Sequence, residues 1–393
     1  VILFLSAPDT WSASRLNDHP ADKANQSRER FVTPRQQVWI ITSIKTMKAP
    51  RWLLLILALM AAPLIGVAGV PANPQAGART RAVLDYLASL EPRADKRMLS
   101  GQFTDFGSRA DLALPEEIHR QTGHWPALIG VDYAEFNPAA NQSALTTGPP
   151  NRVAIAYWRE GGLVTVSAHL YNPANPSGGG LRDQGVDLAE LLAPGTATHE
   201  RWMRELDALV TGLQELKAAG VVVLWRPFHE MNGGWFWWGA KEPAAFVRVW
   251  RHMFAYFTTT KGLDNLLWVY SPNHGDHTAD YYPGDDCVDV VAIDAYTDLV
   301  DTENVKGYAA LARLAKPFGF GEYGPHGPSN PPGGYDYRRF LAGVMANFPR
   351  TTFFMCWNAK WSPASNPDAP ELFNHPWLVN REDLPPGLAG NAP

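Results

Sequence analysis

From about residue 79 onward the chain alternates short apolar runs, rich in β-branched and aromatic residues, with longer stretches whose apolar positions recur at helical spacing. The runs at 98–103, 127–133, 163–169, 221–230, 266–273, 288–296, 317–323 and 352–358 predict eight strands. Strands separated by helical stretches cannot pair as hairpins, so the pattern predicts repeated βα units around a parallel sheet, an α/β fold that with eight strands closes as a (β/α)8 TIM barrel. Two helices are well marked. Over 201–219, Trp202, Leu206, Leu209, Leu213 and Leu216 form one apolar face that Gly220 ends, and over 244–257, Phe246, Val249, Trp250, Met253 and Phe257 repeat at the same period. Trp250 is therefore expected in the core. The connection from 171 to 199, with Asn-Pro twice and Gly178-Gly179-Gly180, is long and follows the third strand, where barrel loops shape a cleft.

No break in composition marks a second folded unit, so residues 73–393 are expected to form one catalytic domain. Before it, Met47, Lys48 and Arg51 precede an apolar run at 52–67 and small residues around Ala68, Gly69 and Ala72, the layout of a signal peptide over 47–72. Pro63 interrupts the run and no basic flank follows, which argues against a membrane-spanning helix; the expectation is a secreted or periplasmic protein without a stable membrane anchor. Residues 1–46 are polar and aperiodic, and are expected to be an over-extended or disordered N-terminal extension.

Charge excludes one class of partner. The net charge is −5 with both signs dispersed, and no basic run interleaves with aromatics, so nucleic acid is not expected. Cys287 and Cys356 are the only cysteines and are expected as free, buried thiols near opposite ends of the barrel. The fifteen Trp and thirteen Tyr are more informative, because many lie beside Gly, Pro and Asn, where core packing alone would not place them.

In a βα-barrel, chemistry is carried at the C-terminal ends of the strands. There the chain places His169, His229-Glu230, Asn273, Asp294, Tyr296, Glu322 and Trp357. Two carboxylic acids on different strands suit glycosidic cleavage, in which one group protonates the leaving oxygen and the other attacks the anomeric carbon. Glu230 lies in Trp225-Arg226-Pro227-Phe228-His229-Glu230-Met231-Asn232-Gly233-Gly234-Trp235-Phe236-Trp237-Trp238-Gly239, aromatic enough to desolvate a carboxyl and raise its pKa, as a general acid requires. Glu322, in Gly321-Glu322-Tyr323-Gly324, is expected to stay ionised as the nucleophile. Trp235, Trp238 and Trp357 are candidate platforms for sugar rings, whose C–H faces are apolar, whereas Trp237 is expected to pack. Zinc-protease chemistry fails because the position four after His229 is Gly233. His274 and His277 lack a third ligand at a recognisable spacing, and no nucleotide or serine-hydrolase motif occurs, so neither a metal nor a cofactor is expected.

These segments resemble glycoside hydrolase family 26, best known for β-mannanases. The likeness extends to Leu99-Ser100-Gly101-Gln102, Gly130-Val131-Asp132-Tyr133, and Tyr282-Pro283-Gly284-Asp285 with Asp294-Ala295-Tyr296, so that it spans roughly residues 79–380. The resemblance implies a (β/α)8 barrel, retention of configuration, Glu230 as acid/base and Glu322 as nucleophile. It further implies that His229 and Tyr296 orient the nucleophile, that His169 and Asp294 contact the sugar beside the scissile bond, and that Trp235 and Trp357 line neighbouring subsites. One departure is Ala168, where family mannanases often carry Trp. The expected activity is endo-β-1,4-mannanase on mannan, glucomannan or galactomannan, a β-linked polysaccharide or oligosaccharide. Mixed-linkage β-glucan and β-1,3-xylan are the alternatives on the same scaffold, since subsite loops rather than the two carboxylates select the sugar. A non-catalytic carbohydrate-binding protein or an envelope protein anchored by 52–67 are the readings from other classes.

Overall fold

The computed structural model describes residues 69–137, 141–326 and 333–390. Eight parallel strands close into a barrel: β1 (Gly101–Phe106), β2 (Leu128–Asp132), β3 (Leu163–Ser167), β4 (Val223–Arg226), β5 (Leu266–Tyr270), β6 (Val290–Tyr296), β7 (Phe318–Gly324) and β8 (Thr351–Cys356). Each pairs with its neighbours in sequence, and β8 returns to both β7 and β1, closing the ring. The helices are α1 (Ala78–Leu90), α2 (Ala113–Thr122), α3 (Gly148–Arg159), α4 (Ala197–Ala218), α5 (Pro243–Ala255), α6 (Tyr308–Leu311), α7 (Tyr337–Asn347) and α8 (Ala369–Phe373). The expected barrel is thus the observed one. Strand ends differ by a few residues, most at β4, where the expected 221–230 shrinks to Val223–Arg226. Pro227 has no N–H to continue the ladder, and Phe228 and Glu230 take left-handed φ values of 49° and 56°, which no strand accommodates.

The two expected helices form. α4 begins before residue 201, because the Thr196 hydroxyl accepts the His199 N–H and caps it, and Gly220 follows its end with φ 74°. Glu242 caps α5 by accepting from the N–H groups of Ala244 and Ala245, and Trp250 is buried there against Trp268, ring centroids 5.9 Å apart. A hairpin, Ala134–Asn137 with Gln142–Leu145, rises from the end of β2 and was not expected. Both cysteines are free and buried. The apolar run at 52–67 and the segment 1–46 lie outside the described residues, among which no helix is long and apolar enough to cross a membrane.

Register positions the chemistry. Asp132 pairs with Ser167 and Ser167 with Arg226, so β2, β3 and β4 end at one level. Glu322 pairs with Asp294, and Asp294 with Asn273, so β7, β6 and the segment after β5 end together. Polar side chains therefore gather at the C-terminal mouth while the barrel walls remain apolar.

Candidate active site

Arg226, the last residue of β4, organises the floor of the mouth. Its Nη2 donates to Glu322 Oε1 at 2.5 Å and its Nη1 to Asp294 Oδ2 at 2.9 Å. All three residues are buried. Burial opposes the guanidinium charge, but the two carboxylates outweigh it and raise the Arg226 pKa further. The remaining Glu322 oxygen accepts from the Tyr296 hydroxyl at 2.7 Å. Asp294 Oδ1 accepts from the Ser271 hydroxyl at 2.6 Å. This close layering needs Gly321 on β7, since a Cβ there would stand 2.3 Å from Ser271 Oγ and 2.6 Å from Asp294 Oδ1.

Glu230 faces this cluster from the turn after β4. Its N–H donates to the Ser271 carbonyl at 2.7 Å, and Asn232 ties the turn to the next loop, donating to the carbonyls of Asn273 at 2.8 Å and Asp276 at 3.0 Å. These bonds hold a backbone that side chains rarely adopt. The Trp235 indole folds back over Gly233, where a Cβ would meet its ring at 2.2 Å, and donates from Nε1 to Glu230 Oε2 at 2.6 Å. Burial, then the negative charges of Glu322 and Asp294, push the Glu230 pKa well above the carboxylate range. One buried acid with a raised pKa thus stands beside another that accepts from a guanidinium and a phenol. That asymmetry suits general-acid and nucleophile roles.

His229 lies beneath the cleft with its Nε2 at 3.1 Å from His169 Nε2 and 3.7 Å from Glu322 Oε1. Burial and the Arg226 cation push its pKa well below the ordinary histidine value, so it is neutral. His169 Nδ1 faces Asp132 Oδ2 at 2.8 Å.

The rim is built from three segments. The long connection after β3 is pinned to the turn that carries Glu230 by Trp237 N–H to Leu181 O at 2.9 Å and Gln184 Nε2 to Phe236 O at 2.5 Å. It is pinned to the hairpin through Asn141, whose Nδ2 donates to Asp183 Oδ1 at 2.7 Å. On the other side, Trp357 stacks on Phe103 with centroids 3.9 Å apart and planes 11° from parallel.

Several expectations are corrected. Trp238 is not a sugar platform: it is 1% exposed, its Nε1 donates to His229 O at 2.8 Å and its ring stacks on Phe236. Trp235, 40% exposed, does offer an indole to the cleft, and Trp237 packs against Trp202 and Phe228. Asp294 has no exposed surface and both its oxygens are bonded within the protein, so it holds Arg226 rather than contacting a sugar. His169 likewise has both ring nitrogens engaged by Asp132 and His229. Asp132, Arg226 and Ser271 were given no role from the sequence. For Arg226, the available signal was its place at the end of β4, four residues before Glu230. His277 pairs with Asp280 at 2.7 Å, and no cluster of three or more His, Cys, Asp or Glu side chains suited to a metal occurs among the described residues.

The family model for glycosyl hydrolase family 26 matches residues 72–383, most of the chain. This chain belongs to glycosyl hydrolase family 26. Among curated relatives in the family, it is 36% identical to a mannan endo-1,4-beta-mannosidase of Bacillus subtilis over 82% of this chain and 92% of that protein. It is 38% identical to mannan endo-1,4-beta-mannosidase A and B of Caldalkalibacillus mannanilyticus over 81% of this chain, and spans 64% of that longer relative. The solved Bacillus subtilis mannanase man26 superposes with a TM-score of 0.75 at 35% identity, covering 82% of this chain and 98% of that one. As a family 26 member this chain is a glycoside hydrolase.

Proposed function

We propose that this family 26 hydrolase is an exported endo-β-1,4-mannanase that cuts mannan, glucomannan or galactomannan with retention of configuration. The observation that carries the mechanism is the pairing of a buried Glu230, its pKa raised, under the Trp235 indole with a Glu322 that accepts from Arg226 and Tyr296. The mannan substrate rests on the relatives named above, and export on the signal-like residues 47–72.

In the first step Glu230 gives its proton to the glycosidic oxygen while a Glu322 oxygen attacks the anomeric carbon, breaking the bond to the leaving chain and forming a glycosyl ester. Glu230, now a carboxylate, takes a proton from water as that water attacks the same carbon and releases Glu322. Two inversions give net retention, and the proton taken from water restores Glu230 to its starting state. The Arg226 guanidinium aims Glu322 at the sugar and, with Tyr296, stabilises it as the departing carboxylate. The half-exposed Trp235 supplies an apolar face beside the acid, suited to a pyranose ring.

The test is release of reducing sugar from glucomannan, galactomannan, mixed-linkage β-glucan and β-1,3-xylan, with Glu322→Ala as control. Activity on the mannans that falls roughly 10⁴-fold or more in the variant is expected. Activity confined to the glucan or xylan would replace the substrate. Tight binding without turnover on all four would overturn the catalytic reading.

A further inference from the structure

The neighbourhood of Asp132 is built to a degree that the chemistry above does not use. Its carboxyl is buried at the end of β2 and accepts four hydrogen bonds. Oδ1 takes the Ala134 N–H at 2.8 Å and the His169 N–H at 3.1 Å, while Oδ2 takes the Ser167 hydroxyl at 2.6 Å and faces His169 Nδ1 at 2.8 Å. An ionised carboxylate only accepts, so His169 must carry hydrogen on Nδ1. The next contact is nitrogen to nitrogen, His169 Nε2 to His229 Nε2 at 3.1 Å, and one of the two must donate.

Two arrangements satisfy that contact, and burial chooses between them. In the first, neutral His169 accepts from an Nε2–H on His229, leaving His229 Nδ1 as a bare acceptor. In the second, a cationic His169 donates and His229 carries its hydrogen on Nδ1, where it has no partner among the described residues. The second buries an unpaired N–H donor and a histidine cation, and leaves His229 Nε2, 3.7 Å from Glu322 Oε1, without a hydrogen. The first does none of these. We infer that Asp132 is a positioning residue of the reaction: through His169 it fixes the tautomer of His229, so that the His229 Nε2 lying between His169 and Glu322 Oε1 carries a hydrogen rather than a lone pair.

The inference rests on Glu322 being the nucleophile, and the test separates the two claims. In ¹⁵N-edited spectra of the wild-type protein, with the His229 signal assigned by its loss in His229→Gln, hydrogen is expected on Nε2 of His229 and on Nδ1 of His169. Asp132→Asn supplies the contrast. Its amide oxygen must remain with the two backbone N–H donors, so its NH₂ turns to His169 Nδ1, and both histidines should switch tautomer. The kcat of this variant should fall at least about tenfold with little change in KM, a split that a merely structural lesion would not produce. A His229 hydrogen on Nδ1 in the wild type would overturn the inference, as would Asp132→Asn retaining wild-type kcat. The wild-type spectra decide even where the variant does not fold. Undiminished turnover by Glu322→Ala would instead refute the nucleophile and leave the tautomer result standing.

Discussion

The Trp235 indole donates to Oε2 of Glu230 at 2.6 Å, so the residue that offers its ring to the cleft also holds the acid. Burial and the nearby Glu322 and Asp294 charges raise the Glu230 pKa, while this hydrogen bond works against them by favouring the ionised form. The acid is thus kept protonated without being prevented from releasing its proton.

Trp235→Phe keeps an aromatic ring and deletes the donor. The Glu230 pKa should then rise further, and because a general acid works when protonated, the basic limb of the pH–rate profile should move to higher pH. Turnover should fall about 10- to 100-fold, as expected for loss of a hydrogen bond to a charged group. A pH–rate profile of kcat/KM checks this; a basic limb that stays in place or moves down would contradict it.

Arg226 separates two buried carboxyls, and removing it leaves both without their cation. Arg226→Met is expected to cost about 3–5 kcal/mol of stability, the usual penalty for breaking a buried ion pair from one side, together with most of the activity. Urea unfolding measures it. A loss below about 1 kcal/mol would show that solvent reaches the cluster.

What was legible in the sequence was whatever repeats. The barrel strands carry continuous apolar runs and the two long helices carry clear faces, so their periods identified them. The acid/base turn does not repeat: Phe228 and Glu230 are left-handed, and no periodic rule extends a strand into such a turn or ends it at Pro227. Trp235 and Trp238 stand in one aromatic run, and only the folding of Trp235 over Gly233 decides which of them reaches the cleft. The roles of Asp132 and Asp294 arise from cross-strand register, pairing residues far apart in the chain, which a single sequence does not encode locally. The long connection after β3 was rightly expected near the cleft, but the hairpin that clasps it was not visible, because its strands are only four residues each.

Glu205 on α4 is a test of a different kind. It is buried, neither carboxyl oxygen has a partner among the described residues, and burial raises its pKa well above the model-peptide value. Below the unfolded-state pKa of about 4.3 it is neutral in both states and costs no ionisation energy. As pH rises from there toward the raised folded value, the unfolded state ionises first and stability is lost. Glu205→Leu should remove this decline and stabilise the protein at pH 7 by about 1–3 kcal/mol. Thermal unfolding of both proteins across the pH range measures it; parallel pH profiles would contradict it.

Attack by Glu322, with Glu230 serving first as acid and then as base, requires that the anomeric configuration be retained. The most direct measurement is the anomeric configuration of the first-formed product, followed by ¹H NMR within seconds of adding the enzyme to a β-1,4-manno-oligosaccharide, before mutarotation intervenes. Double displacement yields the β-anomer first, with the α-anomer growing in afterwards; an α-anomer formed first would mean a single displacement by water and would rule out a covalent role for Glu322.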